Sequence, residues 1–313
     1  MKFLLKLIRP LNLLIIALTQ VMIRYFIIIP LLGYREVYPV MTLFDFILLV
    51  ITTMIIAAAG YMINDYFDVD ADRVNKPHKV IIGKKIRFEH AKIIYYLLNG
   101  IAIGIGLYLA YRLQSFQLGL IFPIIIIMLY YYSARYKNMV FWGNLVVGIL
   151  SGFTVFIVWL FEFFALRTEP GNFLEAQAVF HKINIMVWGF SAFAFLTSLL
   201  REMIKDMQDI EGDRRIGSKT MPVVIGNRKS SFVAAGVTFI TMFCLAYAQY
   251  YLYRHGFHYA VWYLLIAVQF LLIYLLLKLF SSSKSEDYKF LSGLSKIIML
   301  AGILSMQLIY LDL

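Results

Sequence analysis

The stretch NDYFDVDAD, residues 64–72, follows the apolar run LFDFILLVITTMIIAAAGYMI (43–63) with no polar linker between them. Four aspartates therefore abut a segment long and apolar enough for lipid. Of 313 residues, 62% are hydrophobic and only 15% charged, against about a quarter charged in soluble domains. This composition predicts a polytopic membrane protein.

A span needs about 20 mainly apolar residues. Nine stretches qualify, beginning near Leu11, Thr42, Ile93, Leu118, Trp142, Ile183, Ser231, Tyr259 and Leu291. An open sheet edge cannot satisfy its backbone in lipid, so all nine are predicted to be helices. The fold class expected is an all-α membrane protein, a single integral-membrane domain over residues 1–313, with nine helices around a central cavity. The basic start MKFLLKLIRP leads into a long apolar run without a small-residue cleavage site, which reads as a retained first span. Cys244 is the one cysteine, so no intrachain disulfide can form.

Of the 29 Lys and Arg residues, 22 fall at the N-terminus or in and beside the loops after spans 2, 4, 6 and 8. By the positive-inside rule these segments are cytoplasmic, in the cell inner membrane. The net charge of +11 then reflects topology and contact with anionic lipid. Nothing in it points to nucleic acid.

Nine of the 18 acidic residues lie in two windows, 64–72 and 202–213, each ending a predicted span on the cytoplasmic side. Asp65, Asp68 and Asp72 are spaced by 3 and 4, as are Asp206, Asp209 and Asp213. If each window continues its helix, each triplet shares one face, and Asp70 falls off it. Basic strings follow both, RVNKPHK after the first and RRIGSKTMP after the second. The echo suggests two related halves facing a central cavity. Stacked like charges cost about 0.2–0.5 kcal/mol per pair, and acids at a helix C-terminus oppose its dipole. A chain that accepts both costs twice is expected to hold a cation there.

Carboxylates without His or Cys suit a hard divalent ion, Mg2+ above all, which is commonly shared with substrate phosphates. The adjacent Lys and Arg residues fit a ligand with negative charge of its own, such as a diphosphate. A diphosphate beside the bilayer implies a lipid tail, so a polyprenyl diphosphate is the substrate expected. Metal and cations would draw charge onto the leaving group while aromatic faces stabilise the allylic cation.

With these motifs in view, the chain resembles the UbiA-type intramembrane prenyltransferases over essentially its whole length. NDYFDVDAD fits their NDxxDxxxD signature and DIEGD their DxxxD signature. The resemblance implies nine helices, cap loops after helices 2 and 6, and aspartates that hold Mg2+ and the prenyl diphosphate. The metal set is then Asp65, Asp68, Asp72, Asp206, Asp209 and Asp213. Asn64, Arg73, Lys79, Lys137 and Arg201 are expected to bind the diphosphate. Asn12 in RPLN matches the family, as do Tyr132 and Lys137 in YYSARYK. Asp68, Asp209 and Tyr132 are the candidate catalytic residues. The extended strings NDYFDVDADRVNKP and REMIKDMQDIEGDRRIGSKTMPV look most like the subgroup that alkylates geranylgeranylglyceryl phosphate to an ether, with the chlorophyll-forming subgroup next. The first motif continues as HKVIIGK where the family commonly has an Arg-Pro pair.

Outside the motifs, Arg24 sits deep in the first span, where a charge is a functional candidate, and it is expected to bind the acceptor with Asn12. Glu162, His181, His255 and His258 read as residues of the opposite interface, and Gly100, Gly104 and the GIG string of span 3 as close-packing positions. The partners expected are a prenyl diphosphate, a lipophilic acceptor and membrane lipid. The competing readings are an aromatic-acceptor prenyltransferase and a cation-coupled transporter, the latter wanting acids near the bilayer midplane. An alcohol phosphatidyltransferase is disfavoured by the absence of D-G-x-x-A-R.

Overall fold

The computed structural model describes residues 2–75, 77 and 80–313. Among them, nine helices are long and apolar enough to cross a bilayer. They are α1 (Pro10–Gly33), α2 (Leu43–Phe67), α3 (Phe88–Arg112), α4 (Phe116–Ala134), α5 (Trp142–Leu166), α6 (Pro170–Arg215), α7 (Asn227–Arg254), α8 (His258–Ser281) and α9 (Ser285–Leu311). The described residues form no strand, only an isolated bridge between Ile82 and Ile86. The protein is an integral membrane protein of all-α class.

Local chemistry sets several of the helix ends. Thr42 caps α2, its Oγ1 accepting from the Asp45 backbone N–H at 3.1 Å. Pro10 and Pro170 open α1 and α6, where a proline's missing N–H costs nothing. Gly256, at φ 89°, supplies the left-handed residue that reverses the chain between α7 and α8. A π-helical turn, Arg24–Ile28, interrupts α1.

The two acidic windows differ in backbone. The second rides on α6, an unbroken helix of 46 residues. At about 1.5 Å per residue it is about 69 Å long, more than twice a hydrocarbon core of about 30 Å. It starts thirteen positions before the expected Ile183, because the polar segment PGNFLEAQAVFHK is helical without being apolar. The first window does not simply continue α2. The helix stops at Phe67, Asp68 takes φ −89° and ψ 1°, and a short helix, Val69–Asn75, follows. Hydrogen bonds Asp68 N to Asn64 O (2.9 Å) and Asp72 N to Asp68 O (2.8 Å) tie the two pieces across this break.

α6 packs on α5, α7 and α9, α2 packs on α3 and α4, and α1 joins the groups through α2, α5 and α9. The short helix Val69–Asn75 reaches across to α6. Close helix approach rests on glycines: a Cβ at Gly152 of α5 would lie 2.8 Å from the Ser191 carbonyl oxygen of α6. In α3 the close-packed position is Gly106, where a Cβ would meet Phe122 at 2.2 Å. Gly100 and Gly104 face open space instead, because α4 crosses α3 at Gly106. Large apolar side chains such as Ile127, Phe239, Phe243 and Phe270 are exposed on the outside, as lipid contact requires.

Candidate active site

Helices α1, α2, α4, α5, α6 and α9 enclose a cavity of about 290 Å³. Its charged lining lies on the side that carries the acidic windows: Arg9 just before α1, Arg201, Glu202 and Lys205 on α6 and Lys296 on α9, with Asn12, Tyr61, Asn64 and Tyr132 beside them. Further in, Ile56, Phe122, Ile157, Phe193 and Met306 make the wall apolar. A charged head and a long apolar tail both find surroundings of their own kind here.

Each aspartate that can be followed has a cation or a neutral donor beside it. Arg9 donates from Nη2 to Asp65 Oδ1 at 2.5 Å, and its guanidinium lies 4.9 Å from the centre of the Tyr61 ring. Arg9 has a left-handed backbone, φ 51° and ψ 64°, at the junction between the short helix Lys2–Ile8 and α1. Burial lowers the Arg9 pKa, but Asp65, Tyr61 and Glu202 together raise it more, leaving it above its ordinary value. Asn64 Nδ2 donates to Asp68 Oδ2 at 2.7 Å, and Lys137 Nζ ion-pairs with Asp68 Oδ1. On the other side, Asn144 Nδ2 donates to Asp206 Oδ2 at 2.8 Å and Thr220 Oγ1 to Asp213 Oδ2 at 3.0 Å. Asp72 and Asp209 are half-buried, on Val69–Asn75 and α6 respectively.

Lys137 is held in place by its turn. The 3-10 segment Tyr136–Asn138 is pinned to the segment after α6, with Ser218 Oγ donating to Asn138 Oδ1 and Lys219 N to Asn138 O, each at 2.9 Å. Gly143 lets α5 start against this turn, since a Cβ there would meet Lys137 Cα at 2.7 Å. The loop after α4 and the loop after α6 thereby form one surface beside Asp68.

The structure brings together Asn12, Asn64, Tyr132 and Arg201 on the cavity wall, with Asp65, Asp68 and Lys137 beside it. Arg73 does not join them: its side chain is exposed and bonds Asp70 at 3.1 Å. Lys79 lies outside the described residues. Arg24 does not line the cavity either. It is buried on α1 toward the opposite face, where Nη2 donates to the Met41 carbonyl at 2.5 Å and Nη1 lies 3.7 Å from Glu162 Oε2. Glu162 is not an interface residue but a fully buried one, with Oε1 accepting from Val40 N at 2.7 Å and Met41 N at 3.2 Å. The pair ties α1 to α5 and to the chain entering α2, which explains an intramembrane arginine without an acceptor.

Arg9, Tyr61, Glu202 and Lys296 are cavity residues that sequence reasoning misses. Arg9 and Lys296 count toward loop charge when topology is read, and Glu202 lies one helical turn before the DxxDxxxD face. Glu202 is buried between two cations, accepting from Arg201 Nη1 at 2.8 Å and Lys205 Nζ at 2.7 Å. Among the described residues no three His, Cys, Asp or Glu side chains converge as a metal-ligand set. The donors are nonetheless of the kind Mg2+ takes: all are oxygens, and Asn64 Oδ1 is buried with no hydrogen-bond partner.

These features define a polytopic membrane protein with an internal cavity whose charged end lies beside the acidic windows. The sequence profile of the UbiA prenyltransferase family matches residues 21–297, and the chain belongs to that family. It is a prenyltransferase, an enzyme that transfers alkyl groups other than methyl. It is 32% identical over 208 residues to the digeranylgeranylglyceryl phosphate synthase of Methanosphaera stadtmanae, an alignment covering 66% of this chain and 68% of that one. A solved structure of a digeranylgeranylglyceryl phosphate synthase matches at TM-score 0.64 with 23% identity, over 98% of both chains. A UbiA homologue from Archaeoglobus fulgidus, solved with DMAPP and Mg2+ bound, matches at TM-score 0.50 with 15% identity, over 97% of this chain and 98% of that one.

Proposed function

We propose that the chain transfers a geranylgeranyl group from geranylgeranyl diphosphate to the free hydroxyl of geranylgeranylglyceryl phosphate. The allylic C–O bond to the diphosphate breaks, the ether C–O bond forms, and the hydroxyl proton leaves with the diphosphate. The observation that carries this reading is the cavity itself, charged at the mouth between two aspartate windows and apolar within. Its relatives' naming as digeranylgeranylglyceryl phosphate synthases supports the acceptor.

In this reading the whole chain works as one integral-membrane domain, with its N-terminus and acidic mouth cytoplasmic. Asp65, Asp68 and Asp72 on one side and Asp206, Asp209 and Asp213 on the other would hold Mg2+ together with the donor. Bound Mg2+ would supply positive charge to the departing diphosphate. Lys137 and Asn64 contact diphosphate oxygens beside Asp68, and Arg201 contacts phosphate oxygens at the α6 wall. Tyr132 presents its ring to the allylic cation, and Asn12 orients the acceptor. The apolar lining seats the tails and excludes water, which would otherwise capture the cation.

Asp68→Asn and Asp209→Asn are expected to lose most prenyl transfer in the presence of Mg2+ while melting like the wild type. Full activity of both variants would sink the mechanism. Mass spectrometry of products formed from geranylgeranyl diphosphate with geranylgeranylglyceryl phosphate or an aromatic acid tests the acceptor. An aromatic product without the ether overturns it.

A further inference from the structure

Lys296 belongs to neither aspartate motif. It sits about three turns into α9, lines the cavity, and lies close enough to Arg201, Lys205, Arg9 and Glu202 for their charges to act on it. Arg9 is already matched by Asp65. Of the side chains that line the cavity at the corner where α6 meets α9, Arg201, Lys205 and Lys296 are cations and Glu202 is the carboxylate, an excess of two positive charges on the wall; Asp206, one turn further along α6, is turned to Asn144 and does not line it. Glu202 spends both oxygens on Arg201 and Lys205. Lys296 has no carboxylate within ion-pairing distance among the described residues, and Arg201 Nε is buried without a partner. Uncompensated cations in a half-buried corner are costly unless a ligand brings the opposite charge.

A phosphate monoester carries about −1.5 to −2 near pH 7, which matches that excess. The corner differs in kind from the mouth. Carboxylates dominate the mouth, so an anion needs a divalent cation to bind there, whereas the corner attracts an anion directly. We propose that Lys296, with Arg201 and Lys205, forms a metal-independent phosphomonoester site for the headgroup of the acceptor. The site rests on the proposed function for the identity of that acceptor, and its chemistry requires a phosphorylated acceptor rather than an aromatic acid.

The test uses the full-length enzyme and the variants Lys296→Gln and Lys296→Arg. The acceptors are geranylgeranylglyceryl phosphate and its dephosphorylated counterpart, geranylgeranylglycerol. Lys296→Gln is expected to reduce the wild-type preference for the phosphorylated acceptor, as a ratio of kcat/KM, by about tenfold or more, the loss of one charge-assisted hydrogen bond. The KM for the donor is expected to move by less than about twofold. Lys296→Arg keeps the charge and restores the preference. A preference unchanged in Lys296→Gln, or a donor KM raised by the same factor as the acceptor effect, overturns the proposal.

A second measurement judges the site without turnover. In excess EDTA, geranylgeranylglyceryl phosphate raises the melting temperature of the wild type and not of Lys296→Gln, and inorganic phosphate at matched concentration does so less. Stabilisation that requires Mg2+, or that survives in Lys296→Gln, removes the site. Equal stabilisation by inorganic phosphate assigns it to free phosphate and overturns the acceptor role. If the wild type forms no ether from either acceptor, the proposed function falls. The EDTA measurement still decides the site.

Discussion

Gly302 of α9 stands against the Phe193 ring of α6, and both line the cavity. A Cβ at position 302 would lie 2.1 Å from Phe193 Cε1, and ordinary contact begins at 3.4 Å, so in Gly302→Ala the ring must retreat by roughly 1.3 Å. Helix packing resists that movement on every side but the cavity, so the ring moves inward and takes about one methylene of tail room. At about 0.8 kcal/mol per buried methylene this is a factor of about four in kcat/KM for a donor that fills the cavity. The assay is competition between geranylgeranyl and farnesyl diphosphate, with products separated by mass spectrometry. The ratio of the longer to the shorter product is expected to fall by about fourfold, with the melting temperature near wild type. Were the ring unable to move, overpacking would instead cost about 1–3 kcal/mol of stability. An unchanged product ratio together with an unchanged melting temperature refutes the assignment of Phe193 to the tail-binding wall.

Two further perturbations address the turn beside Asp68 and the buried ion pair. In Gly143→Ala the new Cβ meets backbone, Lys137 Cα at 2.7 Å and Tyr136 O at 3.0 Å, so the Tyr136–Asn138 turn must shift and carry Lys137 away from Asp68. Prenyl transfer is expected to fall on the order of tenfold although no polar side chain is altered, and wild-type turnover would mean that the position of Lys137 is unimportant. Glu162→Gln leaves the buried Arg24 without its counter-charge, a loss of about 3–5 kcal/mol that thermal unfolding in detergent would register. The double variant Arg24→Met/Glu162→Leu, which removes both charges, is expected to recover most of that loss. If it melts no higher than Glu162→Gln, the pair is not the cause.

Much of the architecture is legible in the sequence because hydropathy and lipid leave few choices. The nine apolar stretches become nine helices among the described residues, and of the spaced aspartates Asp65 and Asp68 bond side chains of the cavity wall. What escapes such a reading has physical causes. The outer extension of α6 is polar, so a hydropathy window misses it, although Pro170 signals a helix start. The break at Asp68 leaves no proline or glycine in the sequence, and NDYFDVDAD alone suggests one helix. Arg24 reads as an acceptor contact because its partner Glu162 is remote along the chain, and span-by-span reading cannot pair them. Lys296 and Arg9 look like cytoplasmic loop charges, since a charge near a helix end is counted for topology before its direction is known.

The contrast between an unbroken α6 and an interrupted α2 makes the two acidic walls mechanically unequal. Asp206, Asp209 and Asp213 ride on one continuous rod, so their spacing is fixed whatever occupies the mouth. Asp65 and Asp72 are separated by the break at Asp68, so their spacing depends on the angle between α2 and the piece Val69–Asn75. If the mouth holds a ligand head as proposed, one wall would act as a gauge that sets where the head lies, and the other as a jaw whose angle sets the gap. Variation in head size would then be absorbed on the α2 side, and a substitution that stiffens the junction at Asp68 is expected to narrow the range of heads the mouth can take.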